Sequence, residues 1–506
     1  MGNLTPELAR YRDEIRELAA NYGLDFYEVI FELVDADELN MIASYGGFPT
    51  RYPHWRFGME YEQLSKSYNY GLSKIYELVI NNDPCYAYLM RSNSLTDQKL
   101  VMAHVYGHCD FFKNNEWFAK TPRKMMDMTA NHGARIRRYM DRHGVGRVED
   151  FIDQVLALDN LIDIYSPYVK RPDRIDVGAE QSGEPGKFQA KGYMDRYINP
   201  PEALRAEREK ATQQRETAVK YPERPARDVL KFLLENAPLE SWEQDVLDML
   251  RDEAYYFAPQ GMTKIMNEGW AVYWHSTMMT RNLVEASEII NYCDAHSGTL
   301  ATRPGQINPY KLGVELMRDI EDRWDKGKFG IDFEQCDDAD LRRKWFRPTN
   351  QGKEKIFQVR KVHNDISFVD EFVNAEFAED QKMFVWGFNQ QTGDYEIVSR
   401  DWQRVKRSLL DSLTNFGNPI IQVTDANFGN RGELYLHHDW VGVDLQFDYA
   451  MQTLEYVQSM WKRPVWLETR DEGQGIVFRY DGKEHKRFDS KGSQTPEDTV
   501  GQGAPS

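Results

Sequence analysis

The sequence predicts an α+β chain: a mainly helical N-terminal domain that carries a small β-hairpin, followed by a smaller α+β C-terminal domain. Three observations lead there. A chain of 506 residues exceeds what one hydrophobic core usually supports, so two or three domains are expected. Apolar residues recur at helical spacing through the first two-thirds, and beyond about residue 335 the pattern turns to short strand-like runs. Finally, two β-rich segments around a turn lead directly into a helix that carries two histidines four residues apart. The implied division is 1–335 and 336–485, with a polar tail at 486–506 expected to be disordered.

Taken in order, residues 5–35 show helical periodicity, with Leu8, Ile15, Leu18 and Ala19 on one stripe and charges opposite. ASYGGFPTRYPHWRFG reads as a loop. IYELVI and CYAYLM flank NNDP and predict a hairpin. RSNSLTD then leads into a helix from about Gln98 with His104 and His108 on it. Helical patterns follow from 120 to 165, and residues 170–228 are polar, charged and Pro-containing, which predicts a long, partly helical surface excursion. VLKFLLENA, WEQDVLDMLRDEAYYF and MTKIMNEGWAVYWHSTMM resume the helices to about 325. In the last third, MFVWGF, YEIVS, PIIQVTDA, ELYLHHDW, PVWLETR and GIVFRYDG are strand-like, and two helical stretches separate them. Two strands, helix, two strands, helix, two strands suggests a duplicated α+β unit.

Charge excludes some functions. With 63 Lys and Arg against 81 Asp and Glu, net −18, the chain lacks the cationic surplus that phosphate binding needs, so no nucleic-acid role is expected. Adhesion to anionic membranes is disfavoured on the same ground. No apolar run is long enough for a membrane span or a signal peptide, and Cys85, Cys109, Cys293 and Cys336 form no CxxC pair. A soluble protein of a reducing cytoplasm is expected.

The chemistry-bearing stretch is MAHVYGHCDFF. On a helix His104 and His108 project from one face and can share a ligand, beside Leu100, Val101, Gly107 and Phe111. A catalytic zinc usually has three protein ligands plus an open position, with a carboxylate from another helix as a common third. NEGWAVYWH supplies one, because Glu268, Ala271, Val272 and His275 share a face and a carboxylate there needs a cation or donors. Glu268 is therefore the expected third ligand of a zinc or other divalent ion, and His275 is expected to face substrate or support a ligand. A hydrogen-bonded core pair is the plain alternative for the histidines, and His132, His296, His363, His437 and His438 are individually weak signals. HExxH metalloenzymes place a glutamate after the first histidine as general base, whereas this chain has Val105. Hydrolysis would need a carboxylate from elsewhere, with Glu62, Glu77 and Glu116 the nearest in sequence; Tyr310 in INPYKLG, with His275, is the candidate oxyanion donor. Strand, loop and paired-histidine helix follow the order at the centre of zincin-type enzymes, so the N-terminal domain is expected to be zincin-like.

YPHWRFGMEYEQLSKSY, YELVINNDPCYAYLM, MAHVYGHCDFFKNN and TKIMNEGWAVYWHS followed by INPYKLG resemble the stage V sporulation protein R (SpoVR) family, over about residues 20–480. The resemblance implies a part in forming spore cortex, a modified peptidoglycan, or a stress-linked role in organisms that do not sporulate. It implies a PrkA-type serine kinase and a von Willebrand A-like protein as partners. Two functions stay open: a cytosolic zinc-dependent hydrolase of the amidase or peptidase kind, and a non-catalytic, metal-stabilised scaffold or regulatory protein.

Overall fold

The computed structural model describes residues 3–69, 77–169, 221–390 and 392–489. Nearly all of the predicted polar excursion, and the tail from 490, lie outside these residues. The chain is α+β and forms two compact units, each built from two stretches: 1–149 with 255–417, and 150–254 with 418–506. The chain thus passes between the units three times, after residues 149, 254 and 417, and not near 335.

In chain order the helices and strands are α1 (Pro6–Asn21), β1 (Val29–Val34), α2 (Ala36–Ser44), α3 (Trp55–Asn69), β2 (Glu77–Ile80), β3 (Cys85–Met90), α4 (Leu95–Asn114), α5 (Met125–His143), α6 (Val145–Leu156), α7 (Val229–Asn236), α8 (Ser241–Met262) and α9 (Lys264–Met278). A π-helical turn (Met279–Leu283) ends α9. There follow α10 (Ile289–Thr299), α11 (Pro309–Asp325), α12 (Ile331–Glu334), α13 (Ala339–Arg343), α14 (Gly352–Val362), α15 (Asp365–Phe372), α16 (Ala375–Asp380), β4 (Val385–Asn389), β5 (Asp394–Ser399) and α17 (Trp402–Leu413). The last elements are β6 (Ile421–Phe428), β7 (Glu433–His438), α18 (Phe447–Trp461), β8 (Val465–Asp471), β9 (Gln474–Tyr480) and β10 (His485–Asp489).

The first unit centres on α4. Ser94 caps it by accepting from the Asp97 N–H, and every residue from Val101 to Phe112 is buried, so the helix lies inside the core and is not amphipathic. A three-stranded sheet, order β1-β3-β2, backs it, with β1 parallel and β2 antiparallel to β3. Strand alternation divides the packing. Cys85, Ala87 and Leu89 join the core around α4 and α9, whereas Tyr88 and Met90 join Leu39, Ile42, Phe48 and Tyr256 in a second cluster. The helix expected over 5–35 is corrected here: it stops at Asn21, and VIFELV pairs in register with CYAYLM, from Val29 opposite Cys85 to Val34 opposite Met90. A parallel partner over 50 residues away outweighs local helical spacing.

Glycines set the spacing around α9. A Cβ on Gly107 would lie 2.8 Å from Ala271 Cα, so α4 and α9 touch backbone to backbone. On the other side Gly269 meets Gly313 of α11 just as closely. Thr263, at the N-cap, donates its hydroxyl to Pro259 O and caps nothing; Asp365 takes its place, accepting from the Ile265 and Met266 N–H groups at 2.8 and 2.9 Å.

The second unit holds a five-stranded sheet, order β10-β9-β8-β7-β6, antiparallel except for β7 with β8. α18 connects that parallel pair, as such a crossover requires. It packs on the sheet through Ala450, Leu454, Val457 and Met460, spaced for one helical face. The duplicated unit is not found. β4 and β5 form a separate two-stranded sheet in the first unit, and β10 takes residues 486–489, expected in the tail, into the large sheet.

Candidate metal centre

α4 presents His104 and His108 one turn apart on the side facing α9, and α9 presents Glu268 back to them. Ligand atoms of His104, His108 and Glu268 all lie within 4.8 Å of one another. Glu268 Oε2 is 3.4 Å from His108 Nε2 and 3.5 Å from His104 Nε2. The histidine side chains are only 6% and 5% exposed, that of Glu268 19%.

These distances are long for hydrogen bonds, and Glu268 Oε2 is a buried oxygen with no hydrogen-bond partner. They are close to the edge of a tetrahedron around zinc: with bonds of about 2.0–2.1 Å, donor atoms stand roughly 3.3 Å apart. Hydrogen-bond direction points the same way. His108 Nδ1 lies 2.9 Å from Asn267 Oδ1 and donates to it, so a neutral His108 turns the bare lone pair of Nε2 toward a carboxylate. A cation between them resolves that repulsion. The two carboxylate–imidazole distances therefore suit a divalent ion such as zinc, which His104 Nε2, His108 Nε2 and Glu268 Oε2 would hold. With no ion present, protons on the His108 and His104 rings would take its place: burial alone would raise the Glu268 pKa, but rings so charged more than offset it and hold the carboxyl far below the ordinary range.

Behind His104 stands His275, with the two Nδ1 atoms 2.8 Å apart. His275 is 2% exposed, and burial, with His104 and His296 adding to it, pushes its pKa well below the usual imidazole value, so the ring is neutral. It backs the His104 ring and does not line an open face. On the far side of α4, Asp110 Oδ2 accepts from Trp270 Nε1 at 2.8 Å and ties α4 to α9 two residues from His108 and from Glu268.

The other candidates are not brought into the ligand group. Glu62 lies on the surface of α3, paired with Lys66 at 2.8 Å. Glu77 opens β2, its backbone opposite Leu89. Glu116 is exposed, and Tyr310 sits in the first turn of α11, where its N–H donates to Asn308 Oδ1. Val105 is fully buried in the core, so the position that holds the base in HExxH points into packing here. Among other histidines, His363 lies 3.2 Å from Ser367 Oγ, and His437 and His438 belong to β7. His132 is buried in α5. Sequence reasoning missed Asn267 and Asp365, and it set His296 aside as a weak signal. Asn267 had a signal, since it adjoins Glu268; the other two gain meaning only from contacts made far along the chain.

Comparison with known proteins divides the chain near residue 418, with the first family model also taking in residues 150–254 of the second unit. Residues 3–418 match the family model described as SpoVR like protein, and residues 419–472 match the SpoVR-like C-terminal domain. That junction coincides with the passage between the compact units at Gly417/Asn418. The uncharacterized protein YcgB of Escherichia coli (strain K12) is 29% identical over 493 residues, 92% of each chain. No solved structure matches, and among the described residues no helix is long and apolar enough to cross a membrane. Since these two models together cover nearly the whole chain, it belongs to the SpoVR family.

Proposed function

We propose that His104, His108 and Glu268 hold a divalent metal ion, zinc by the chemistry of the donor set, and that the site serves hydrolysis of an amide. The observation that carries this reading is the orphaned Oε2 of Glu268, facing two imidazole nitrogens at 3.4 and 3.5 Å. Nitrogen and carboxylate donors in a set of three suit zinc, and three protein ligands leave a position open where structural zinc sites use four. A zinc ion so held supplies Lewis acidity, polarising a carbonyl and lowering the pKa of water. The chain's own residues orient the ligands: Asn267 and His275 fix the ring directions of His108 and His104, and Asp365 anchors the turn that bears Glu268. No acid occupies the HExxH base position, so the proton acceptor comes from substrate, from solvent or from another part of the chain. Peptide-type amides of peptidoglycan are the substrate class the family resemblance implies, and cytoplasmic residence and a serine-kinase partner belong to the same proposal.

A second reading, a metal-braced scaffold without catalysis, draws on Val105 and on the close α4–α9 contact. Protein purified without chelators should carry about one equivalent of zinc by elemental analysis, and the His104→Ala variant should not. Less than roughly a tenth of an equivalent in the wild type would sink both versions. Stripping the metal separates them: a scaffold loses melting temperature, whereas a catalytic site loses amide hydrolysis with the fold retained.

A further inference from the structure

The hydrogen-bond chain that begins at His104 continues past His275. His275 Nε2 lies 3.3 Å from Nδ1 of His296, and the His296 ring stacks on Tyr292 with centroids 5.5 Å apart. Both residues belong to α10, in which Tyr292 is the one buried residue. At its N-terminal end, α10 is fastened to α4 through Glu288, whose carboxylate accepts from the buried Lys99 ammonium at 2.9 and 3.1 Å. α10 thus hangs on the metal-bearing helix at one end and meets its support chain at the other.

Ring chemistry gives this chain a direction. A neutral imidazole carries one N–H, so each ring must donate from one nitrogen and accept at the other. With His104 Nε2 given to a cation, its proton is on Nδ1 and is donated to His275 Nδ1. His275 then carries its proton on Nε2 and donates to His296 Nδ1. No ring gains or loses a proton in this arrangement. His108 is braced in one step, by a carbonyl oxygen that can only accept. His104 is braced by a ring able to run either way, whose direction in turn depends on whether His296 accepts at Nδ1.

We infer that His275 and His296 are positioning residues for the metal, a two-step brace in which the acceptor at Nδ1 of His296 holds the tautomer and rotamer of His104 that ligation needs. The inference rests on the metal-site reading above. Outer partners of ligating histidines typically contribute 10–100-fold to metal affinity.

The test is zinc competition against a chromophoric chelator, with full-length wild type, His275→Phe, His296→Phe and His296→Asn, alongside melting of the metal-free proteins. Phe keeps the ring and its stack on Tyr292 but offers no acceptor, whereas the Oδ1 of Asn stands near the place of Nδ1. His275→Phe should weaken zinc binding about 10–100-fold, and His296→Phe roughly 3–10-fold, with a metal-free melting temperature like that of the wild type. His296→Asn should return to within about twofold of the wild type. Wild-type affinity in His296→Phe overturns the brace, and so does equal weakening by Phe and Asn, which would mark a packing effect. Should the wild type itself fail to bind zinc, the failure lies with the metal site, and it is read before any variant is compared.

Discussion

Histidine meets carboxylate in both units of this protein, and the two meetings differ. In the second unit, His437 Nδ1 lies 3.0 Å from Glu468 Oε2, each side chain 38% exposed, and Tyr435 also hydrogen-bonds that carboxylate. The pair is complete: the ring nitrogen donates to the carboxylate at hydrogen-bond distance. In the first unit His104 and His108 approach Glu268 no closer than 3.4 Å, in a buried setting, and the facing oxygen is left without a donor. Equal residue types thus give a closed ion pair on a sheet and an open donor set between helices. Separation and burial, rather than composition, mark the place for a third body.

The largest expected effect follows directly. Glu268→Ala should remove nearly all bound zinc, because it takes away one of three donors, whereas Glu468→Ala should leave the zinc content at the wild-type level. Elemental analysis of the two variants purified side by side decides it. Equal losses in both would mean that the comparison separates nothing.

Legibility in the sequence follows the same division between local and distant causes. The double-histidine helix and the EGWA helix were readable because each carries its chemistry at helical spacing, and the β2–β3 hairpin because NNDP marks the turn. β1 was not, since VIFELV fits the apolar spacing of α1 and its parallel partner lies across two helices. Nor were the units, because each is assembled from two separate stretches of chain. In the site, Glu268 was visible as a carboxylate on an apolar face. His296 and Asp365 look ordinary in sequence, and only the contacts with His275 and with the Ile265 and Met266 amides give them a role.

The next effect sharpens the role of helix spacing. Gly107→Ala would bring its Cβ to 2.8 Å from Ala271 Cα, so α4 and α9 must part by several tenths of an ångström. A loss of about 1–3 kcal/mol in stability is expected, with weaker zinc binding because Glu268 moves away from both rings. Paired measurements of melting and zinc competition test this, and unaltered affinity would show that the donor set tolerates a changed helix spacing. The His437–Glu468 pair instead lies across register-paired parallel strands, whose spacing is set by the strand ladder and not by a glycine contact between helices.

pH dependence distinguishes the two regions by window. Asp365 is buried, and desolvation raises its pKa to about 7 despite the two amide donors. A carboxyl whose pKa is higher folded than unfolded binds more protons in the native state between those values, so stability falls as pH rises from about 4 to 7. Asp365→Asn keeps one acceptor for the α9 amides and should flatten that slope in urea titrations at pH 5 and pH 7. An unchanged slope would show that Asp365 is not its source.

The smallest effect belongs to the sheet. His437 has its pKa raised, chiefly by the hydrogen bond to Glu468, with burial opposing. Its contribution is fully present below the unfolded value of about 6.5 and fades as pH climbs through the higher folded one. Since both partners are more than a third exposed, water screens the pair, and Glu468→Gln should cost no more than about 0–1 kcal/mol at pH 6 and less at pH 8. Unfolding of the full chain at those two values, set against Glu268→Gln in the metal-free protein, completes the comparison. With both rings neutral, removing charge from Glu268 ends a lone-pair conflict with His108 and should leave metal-free stability level or higher, whereas at Glu468 it weakens a bond already made. A stability loss at Glu268 larger than at Glu468, with no metal present, would show that the helical site is closed by protons alone, and the case for an ion would then lose its physical basis.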